Sequence, residues 1–469
     1  MVIMHSKIKR PYLFSFLPNV VFSLLFINMG FAQITWQKNY GGAGSEEGYF
    51  VDQTKDGGYV VVGASTSYGN SYQVYLVKTD SLGDTIWTKT YGGTNYDFGY
   101  SVQQTTDGGY IITGSTNSFG NSAQLYLIKV DSLGDTLWTK TYGDTASEIG
   151  RAVRQTTDGG YIITGFTNSF GYGWQVYLVR TDSLGDSLWI KTFGGPGIDK
   201  GWSVEQTPDR GYIIGGSINS PLDDDPIWVI KTDSFGDTLW ARIYGTDTYI
   251  GRSVQPTEDG GYIVVGYDLG GSIYLVKTDS NGDTLWTKDF YLTDPAEAYT
   301  GLQTRDKGYI VGGKTREYID NHNFFLVKTD SLGDTLWTKR YGTGMTEGAQ
   351  CVQQTADSGY ILVGTDGFSG DNSQVWLIKT DAYGNIGITE NGTPRQFSNN
   401  NQPIVFPNPY VSFTKVRGYE KNRFTVYDIT GRNLGNYWGE KIGFDLQPGI
   451  YFIVSEYKNI KPIRIVKIK

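Results

Sequence analysis

The chain has 469 residues, among them 63 Gly, 35 Tyr and 12 Trp but only 4 Met, with 19% of side chains charged. That turn-dense, aromatic-rich balance points to β structure and leaves little room for helix. The net charge of −8 makes a phosphate backbone a poor partner, so no nucleic acid is expected, and a single cysteine, Cys351, rules out an intramolecular disulfide.

In chain order, Lys7, Lys9 and Arg10 precede an apolar run over residues 12–31 that ends in Gly30-Phe31-Ala32. This is the pattern of a secretory signal peptide, residues 1–32, cleaved after Ala32. Pro18 and Asn19 interrupt the run, which argues against a retained anchor. Cleavage removes three positive and no negative residues and takes the net charge from −8 to −11. No later segment is apolar enough to span a bilayer, so no transmembrane segment is expected after signal cleavage.

Trp36, Trp87, Trp138, Trp189, Trp240, Trp286 and Trp337 then recur at intervals of 51, 51, 51, 51, 46 and 51 residues. Between them the same phrases return: a Gly-rich stretch, Val-x-Gln-Thr, an Asp-x-Gly-Tyr turn, an aliphatic run, a Ser/Asn/Gly loop, Tyr-Leu-x-Lys and Asp-x-x-Gly-Asp. In the second unit this predicts strands over 99–105, 110–116, 124–130 and 137–142, the middle two apolar nearly throughout, as when neighbours cover both faces of a sheet. A four-strand repeat of this length is a propeller blade. Residues 33–390 are therefore expected to form one all-β domain, a seven-bladed β-propeller. The mature chain opens with a lone copy of the Trp-bearing strand, while the last unit lacks one. Residues 34–40 are thus expected to complete the seventh blade and close the ring, leaving no unpaired junction.

The two short turns of each unit lie at one end of the strands, and the two longer, variable connections lie at the other. Binding specificity is expected at the variable end, because loops on a rigid scaffold tolerate change. Aligning the units on Gln-Thr places Tyr49, Tyr100, Arg151, Trp202, Arg252, Tyr299 and Gln350 at one position near the start of the first strand. Such a set would ring the channel mouth and suit carbohydrate or peptide stacking, unless it only fills gaps between blades. Tyr172 and Trp174 enlarge a loop of the third unit and join this candidate ligand-binding set.

Departures from the repeat carry less. Asp223, Asp224 and Asp225, between Pro221 and Pro226, read as a solvated acidic loop. The fifth unit is trimmed to Asp268-Leu269-Gly270-Gly271, which predicts a notch in the rim. Asp80, Asp84 and their equivalents read as turn chemistry rather than calcium ligands. Cys351 stands where other units have Ser101, Ala152 or Ser203 and reads as a small core residue. His322, the one histidine of the mature chain, falls on a variable loop, so no Cys/His metal set can be assembled. Asp199, Asp247 and Glu297 scatter without a convergent pair. No catalytic residue, metal or cofactor is expected; the alternative is a secreted carbohydrate-active enzyme, a glycoside hydrolase or lyase, on a propeller scaffold.

The spacings Gly83 to Trp87 and Gly134 to Trp138 resemble the Trp-docking repeat of quinoprotein-type propellers, although the Asp80 to Gly83 interval is one residue shorter. The resemblance implies that each Trp packs between adjacent blades as core.

After Ile386 the repeat stops, and residues 391–403 have the composition of a linker. Residues 393–469 hold 12 Lys/Arg against 5 Asp/Glu, whereas residues 33–392 hold 25 against 43. The ordered motifs Val405-Phe406-Pro407-Asn408-Pro409, Tyr427-Asp428-Ile429-Thr430-Gly431-Arg432 and Gly449-Ile450-Tyr451-Phe452, with the closing Lys469, resemble the type A C-terminal sorting domain of type IX secretion substrates. The resemblance implies that residues 404–469 form a small β-sandwich read by the type IX secretion machinery. It further implies passage through periplasm and outer membrane, then release or attachment at the cell surface. The combined expectation is an exported, monomeric binding or structural module that engages glycan or protein on its variable loop face.

Overall fold

Each repeat folds into a four-stranded antiparallel sheet in which neighbours in sequence are neighbours in space. The structure, a computed structural model, describes residues 34–69, 71–120, 122–171, 173–218, 226–245, 249–316, 322–342, 347–367, 372–386, 404–406, 414–417, 421–428, 432–455 and 463–467. In the second repeat the strands are Asp97–Gln104, Tyr110–Thr116, Gln124–Val130 and Thr136–Tyr142. The middle two fall where the aliphatic pattern puts them. The first begins two residues early because Asp97, polar but fully buried, accepts the Gly93 amide at 2.8 Å and the Ser118 hydroxyl at 2.7 Å. A satisfied buried carboxylate extends the ladder where hydropathy reads a loop.

Seven such sheets occupy residues 46–91, 97–142, 148–193, 200–244, 249–291, 296–341 and 347–380. The last repeat supplies only three strands. Its fourth is Trp36–Tyr40, antiparallel to Gln374–Thr380, with Trp36 opposite Lys379 and Tyr40 opposite Val375. First strands of successive sheets lie side by side, and that of the seventh lies beside that of the first. With no helix among the described residues, the arrangement is all-β and consistent with a β-propeller.

Second and third strands, such as Tyr59–Ser65 and Gln73–Thr79, are buried along their whole length, whereas the fourth, Thr85–Tyr91, is largely exposed. The tryptophans sit on that outer strand. Trp36 packs over Gly83, where an added Cβ would lie 2.7 Å from the indole and where φ is 78°, so only glycine fits. The Trp36 ring meets Tyr59 edge-on at 5.6 Å, and the Tyr40 hydroxyl donates to Gly83 O at 2.7 Å. Trp87 over Gly134 and Trp138 over Gly185 repeat the contact. Of the seven repeat tryptophans only Trp36 is buried, at 6% exposure; the other six are half-buried. An outermost strand has one open face, so most of these rings brace an interface edge rather than fill a core.

A second fastener is ionic. In every sheet the cation of the third strand reaches the aspartate of the first turn: Lys78–Asp56, Lys129–Asp107, Arg180–Asp158, Lys231–Asp209, Lys277–Asp259, Lys328–Asp306 and Lys379–Asp357. The cation ends are buried and the carboxylates largely exposed, so water still solvates one partner and the desolvation cost is limited.

The C-terminal residues form a four-stranded antiparallel sheet in the order Asn433–Trp438, Arg423–Asp428, Gly449–Ser455, Ile463–Lys467, and a pair of Ile404–Phe406 with Lys415–Arg417. Val416, Phe424, Val426, Tyr437, Ile442, Tyr451, Ile453 and Ile465 make its core. No helix among the described residues is long and apolar enough to cross a membrane.

Candidate functional site

The first strand of every sheet carries a β-bulge. Register slips between Gly48 and Phe50, Gly99 and Ser101, Gly150 and Ala152, Gly201 and Ser203, Gly251 and Ser253, Ala298 and Thr300, and Ala349 and Cys351. The residue left over at each slip is Tyr49, Tyr100, Arg151, Trp202, Arg252, Tyr299 and Gln350 in turn, which is the candidate ring. A glycine opposite makes room: a Cβ on Gly63 would lie 1.7 Å from Glu47 O.

Six of the seven touch in succession. Tyr49 and Tyr100 rings are 5.0 Å apart; the Arg151 guanidinium lies 4.1 Å from Tyr100 and 4.8 Å from Trp202; Arg252 lies 4.3 Å from Trp202 and 5.3 Å from Tyr299. Gln350, without ring or charge, completes the set. Arg151 Nε, Trp202 Nε1 and Arg252 Nε are buried without a hydrogen-bond acceptor, and no ion pair forms at either guanidinium among the described residues. Burial lowers the Arg151 pKa, although Tyr100 and Tyr49 pull it back.

Aromatic arms lead from this belt toward the variable loops. Tyr100 stacks on Phe98 at 6.1 Å, Phe98 on Tyr72 at 5.3 Å, and Tyr72 lies 6.3 Å from exposed Tyr96. On the other side Phe166 meets Trp202 at 5.6 Å and Trp174 at 5.2 Å. Phe166 thereby joins two of the candidate residues, and the sequence marked it only by a ring where sister repeats have Ala64 or Ser115. Tyr172 and Asp223 to Asp225 lie outside the described residues, as does Asp247.

A cavity of about 310 Å³ opens at a different level of the axis, lined by none of the belt residues. Its walls include Phe50, Asp52, Gln103, Arg154, Glu205, Gln255, Leu302 and Gln353, drawn from first strands of all seven sheets. Asp52, Gln103, Arg154, Glu205, Gln255, Leu302 and Gln353 are the x of Val-x-Gln-Thr or its variants, three residues beyond the belt and about 10 Å nearer the short turns. Sequence reasoning missed them. Their signal was variation at one position inside an otherwise repeated phrase.

The remaining candidates are structural. Cys351 is buried, with Sγ 3.9 Å from Val51 O, and burial pushes its thiol up to about 12. His322 is not on a loop; it opens strand His322–Thr329 opposite Arg316, continuing a ladder that hydropathy ends sooner. Asp80 Oδ1 accepts the Leu82 and Asp84 amides, both at 2.8 Å, which is turn chemistry as expected. Asp268 makes the same kind of turn across the trimmed loop, accepting the Ser272 amide at 2.7 Å. Glu297 is engaged by Tyr299, Lys314 and Arg316. Among the described residues no group of His, Cys, Asp and Glu is arranged to hold a metal.

In the C-terminal module, Tyr427 and Asp428 end a strand, and Arg432 returns to Asp428 through N at 3.0 Å and Nε at 3.1 Å. Tyr451 donates to Gln447 O at 2.6 Å across the Pro448-Gly449 corner. Pro407, Asn408, Pro409, Gly431 and Lys469 lie outside the described residues.

No family model and no curated protein matches the chain. Among solved structures it is similar to a protein of unknown function from Bacteroides caccae, at 12% identity over 60% of this chain and 93% of that one, with a TM-score of 0.39. It is similar also to YCF48 bound to D1 peptide, at 11% identity, 75% and 96% coverage and a TM-score of 0.45. A third is a protein of unknown function from Dyadobacter fermentans, at 10% identity, 74% and 98% coverage and a TM-score of 0.42.

Proposed function

We propose that the chain is an exported, non-catalytic binding module, a seven-bladed propeller sealed by residues 34–40, whose bulge belt and aromatic arms engage a glycan or protein at the variable loop end. The observation that carries this reading is the unbroken succession Tyr49, Tyr100, Arg151, Trp202, Arg252, Tyr299. Stacked rings and guanidiniums held by bulges lose little conformational entropy on binding and offer flat faces with N–H donors at their edges. Three of those donors find no acceptor among the described residues, and a ligand hydroxyl or carbonyl would supply one.

Delivery rests on the resemblance of residues 404–469 to type A sorting domains, with the signal-peptide pattern before it. The Asp428–Arg432 pairing across a strand end supports a defined, recognisable edge in that module.

Polysaccharide and peptide arrays probed with the purified chain, scored for both retention and product formation, test the binding reading. Retention lost in Arg151→Ala and Trp202→Ala with unchanged melting is expected; retention indifferent to both sinks it, and product formation favours the hydrolase or lyase alternative. For export, residues 393–469 behind a signal peptide and a reporter should reach the surface of a host with the type IX machinery, and a reporter held in the periplasm counts against it.

A further inference from the structure

We propose that the axial cavity at the short-turn end is a second, separate binding site, for a small organic cation: a compact molecule bearing one ammonium or guanidinium group. The cavity shares no lining residue with the belt.

The charges on the cavity wall do not balance. Arg154 donates through Nε to Glu205 Oε1 at 2.8 Å and through a terminal nitrogen to Val153 O at 2.8 Å, and Gln255 Nε2 donates to the same Glu205 oxygen at 2.9 Å. That pair neutralises itself. Asp52 is left with a 3.4 Å contact from the Gln104 amide and a backbone contact from Gln53, and no ion pair reaches it among the described residues. A carboxylate held in a protein wall without an ion pair of its own is costly, and such groups cluster where a ligand supplies the missing charge. Burial raises the Asp52 pKa despite the pull of Arg154.

The rest of the wall suits an organic body rather than a bare ion. Phe50 presents a ring already 5.5 Å from the Arg154 guanidinium, and Val102, Pro256 and Leu302 add apolar surface. One free carboxylate falls short of the six to eight oxygens that calcium takes. A space of about 310 Å³ admits a molecule of monosaccharide or amino-acid size. Position-by-position variation strengthens the case. The Val recurs in all but the sixth repeat, where it is Gly301, and the Gln in all but the fifth, where it is Pro256, yet the residue between them is Asp, Gln, Arg, Glu, Gln, Leu and Gln in turn. A ring that merely plugged the axis could repeat like its neighbours. The acidic balance of residues 33–392, 25 Lys/Arg against 43 Asp/Glu, also draws cations rather than anions toward the mouth.

Titration calorimetry on the purified full chain with glucosamine and methylguanidinium, and with glucose and N-acetylglucosamine as neutral partners, tests this. Saturable binding of the charged probes, at least tenfold tighter than their neutral partners, is expected. Asp52→Asn should weaken it at least tenfold, while Leu137→Ala, on an exposed outer strand, leaves it unchanged. Should Asp52→Asn fail to melt cooperatively, Phe50→Leu serves in its place and should weaken binding severalfold. Equal binding of charged and neutral probes, calcium binding in their stead, or indifference to both substitutions overturns the proposal.

Discussion

Pro208 and Pro256 occupy matched positions in adjacent sheets, and each removes one half of a hydrogen bond that every other junction keeps. At six junctions the Gln of Gln-Thr accepts an amide from the preceding sheet's turn: Lys55 to Gln104 at 2.8 Å, Thr106 to Gln155 at 2.8 Å, Thr157 to Gln206 at 2.9 Å, Glu258 to Gln303 at 2.8 Å, Arg305 to Gln354 at 3.0 Å, and Ala356 back to Gln53 at 2.7 Å. Between sheets four and five the donor position is Pro208, which has no N–H, and the acceptor position is Pro256, which has no amide oxygen on its side chain.

A double-mutant cycle tests that complementarity. Pro256→Gln alone gains no donor and Pro208→Thr alone leaves a turn amide without its acceptor, so neither should stabilise. The double variant should show favourable coupling of about 0.5–1.5 kcal/mol in denaturant melts. Strict additivity would deny the relationship.

Trp36 should matter more than its sister residues. It is buried where they are half-buried, and it lies on the strand that completes the seventh sheet. Trp36→Ala is expected to cost about 3–5 kcal/mol and Trp138→Ala clearly less. Removing residues 34–40 should lower the melting temperature of the whole repeat domain, and an unchanged melt would show the ring does not depend on that strand.

Stability should fall steeply in acid. At the first turns burial pushes the aspartates up, but hydrogen bonds from the turn threonine, the buried cation and a glycine amide outweigh it; Asp259 is brought down to about 2, and Asp56, Asp107, Asp158, Asp209, Asp306 and Asp357 also lie below their ordinary value. A depressed carboxyl contributes stability that is complete above its unfolded value of 3.8 and lost as pH falls toward 2. Asp52, raised, acts in the opposite sense, one group against seven. Urea midpoints measured from pH 5 to pH 2 should therefore drop progressively. Asp259→Asn should flatten part of that drop and cost about 2 kcal/mol at pH 7, less than for a fully buried pair because the carboxylate side is more than half exposed.

Lys307 holds a left-handed backbone at φ 66°, at the turn position where Gly57 and Gly108 stand in sister repeats. Side chains with a Cβ are disfavoured there by about 1–2 kcal/mol, partly offset by the entropy glycine loses on folding. Lys307→Gly is expected to stabilise by about 0.5–1 kcal/mol in thermal melts. A loss of stability would mean the lysine makes a compensating contact.

The repeat period, the fully buried middle strands and the turn chemistry of Asp80 were readable along the chain, because each depends on residues within a few positions of one another. Even the pairing of Trp36–Tyr40 with Gln374–Thr380 could be anticipated, since one end of the repeat array lacks what the other carries. What only the tertiary structure decided is how seven distant strands converge. The bulges turn Tyr49 through Tyr299 into a continuous belt, and Asp52, Arg154 and Glu205 meet around a cavity although 102 residues separate the first two and 51 the last two. Local hydropathy has no term for that meeting: the partners come from sheets far apart along the chain, and a polar residue on an inner strand shows its purpose only when the charges it faces are known.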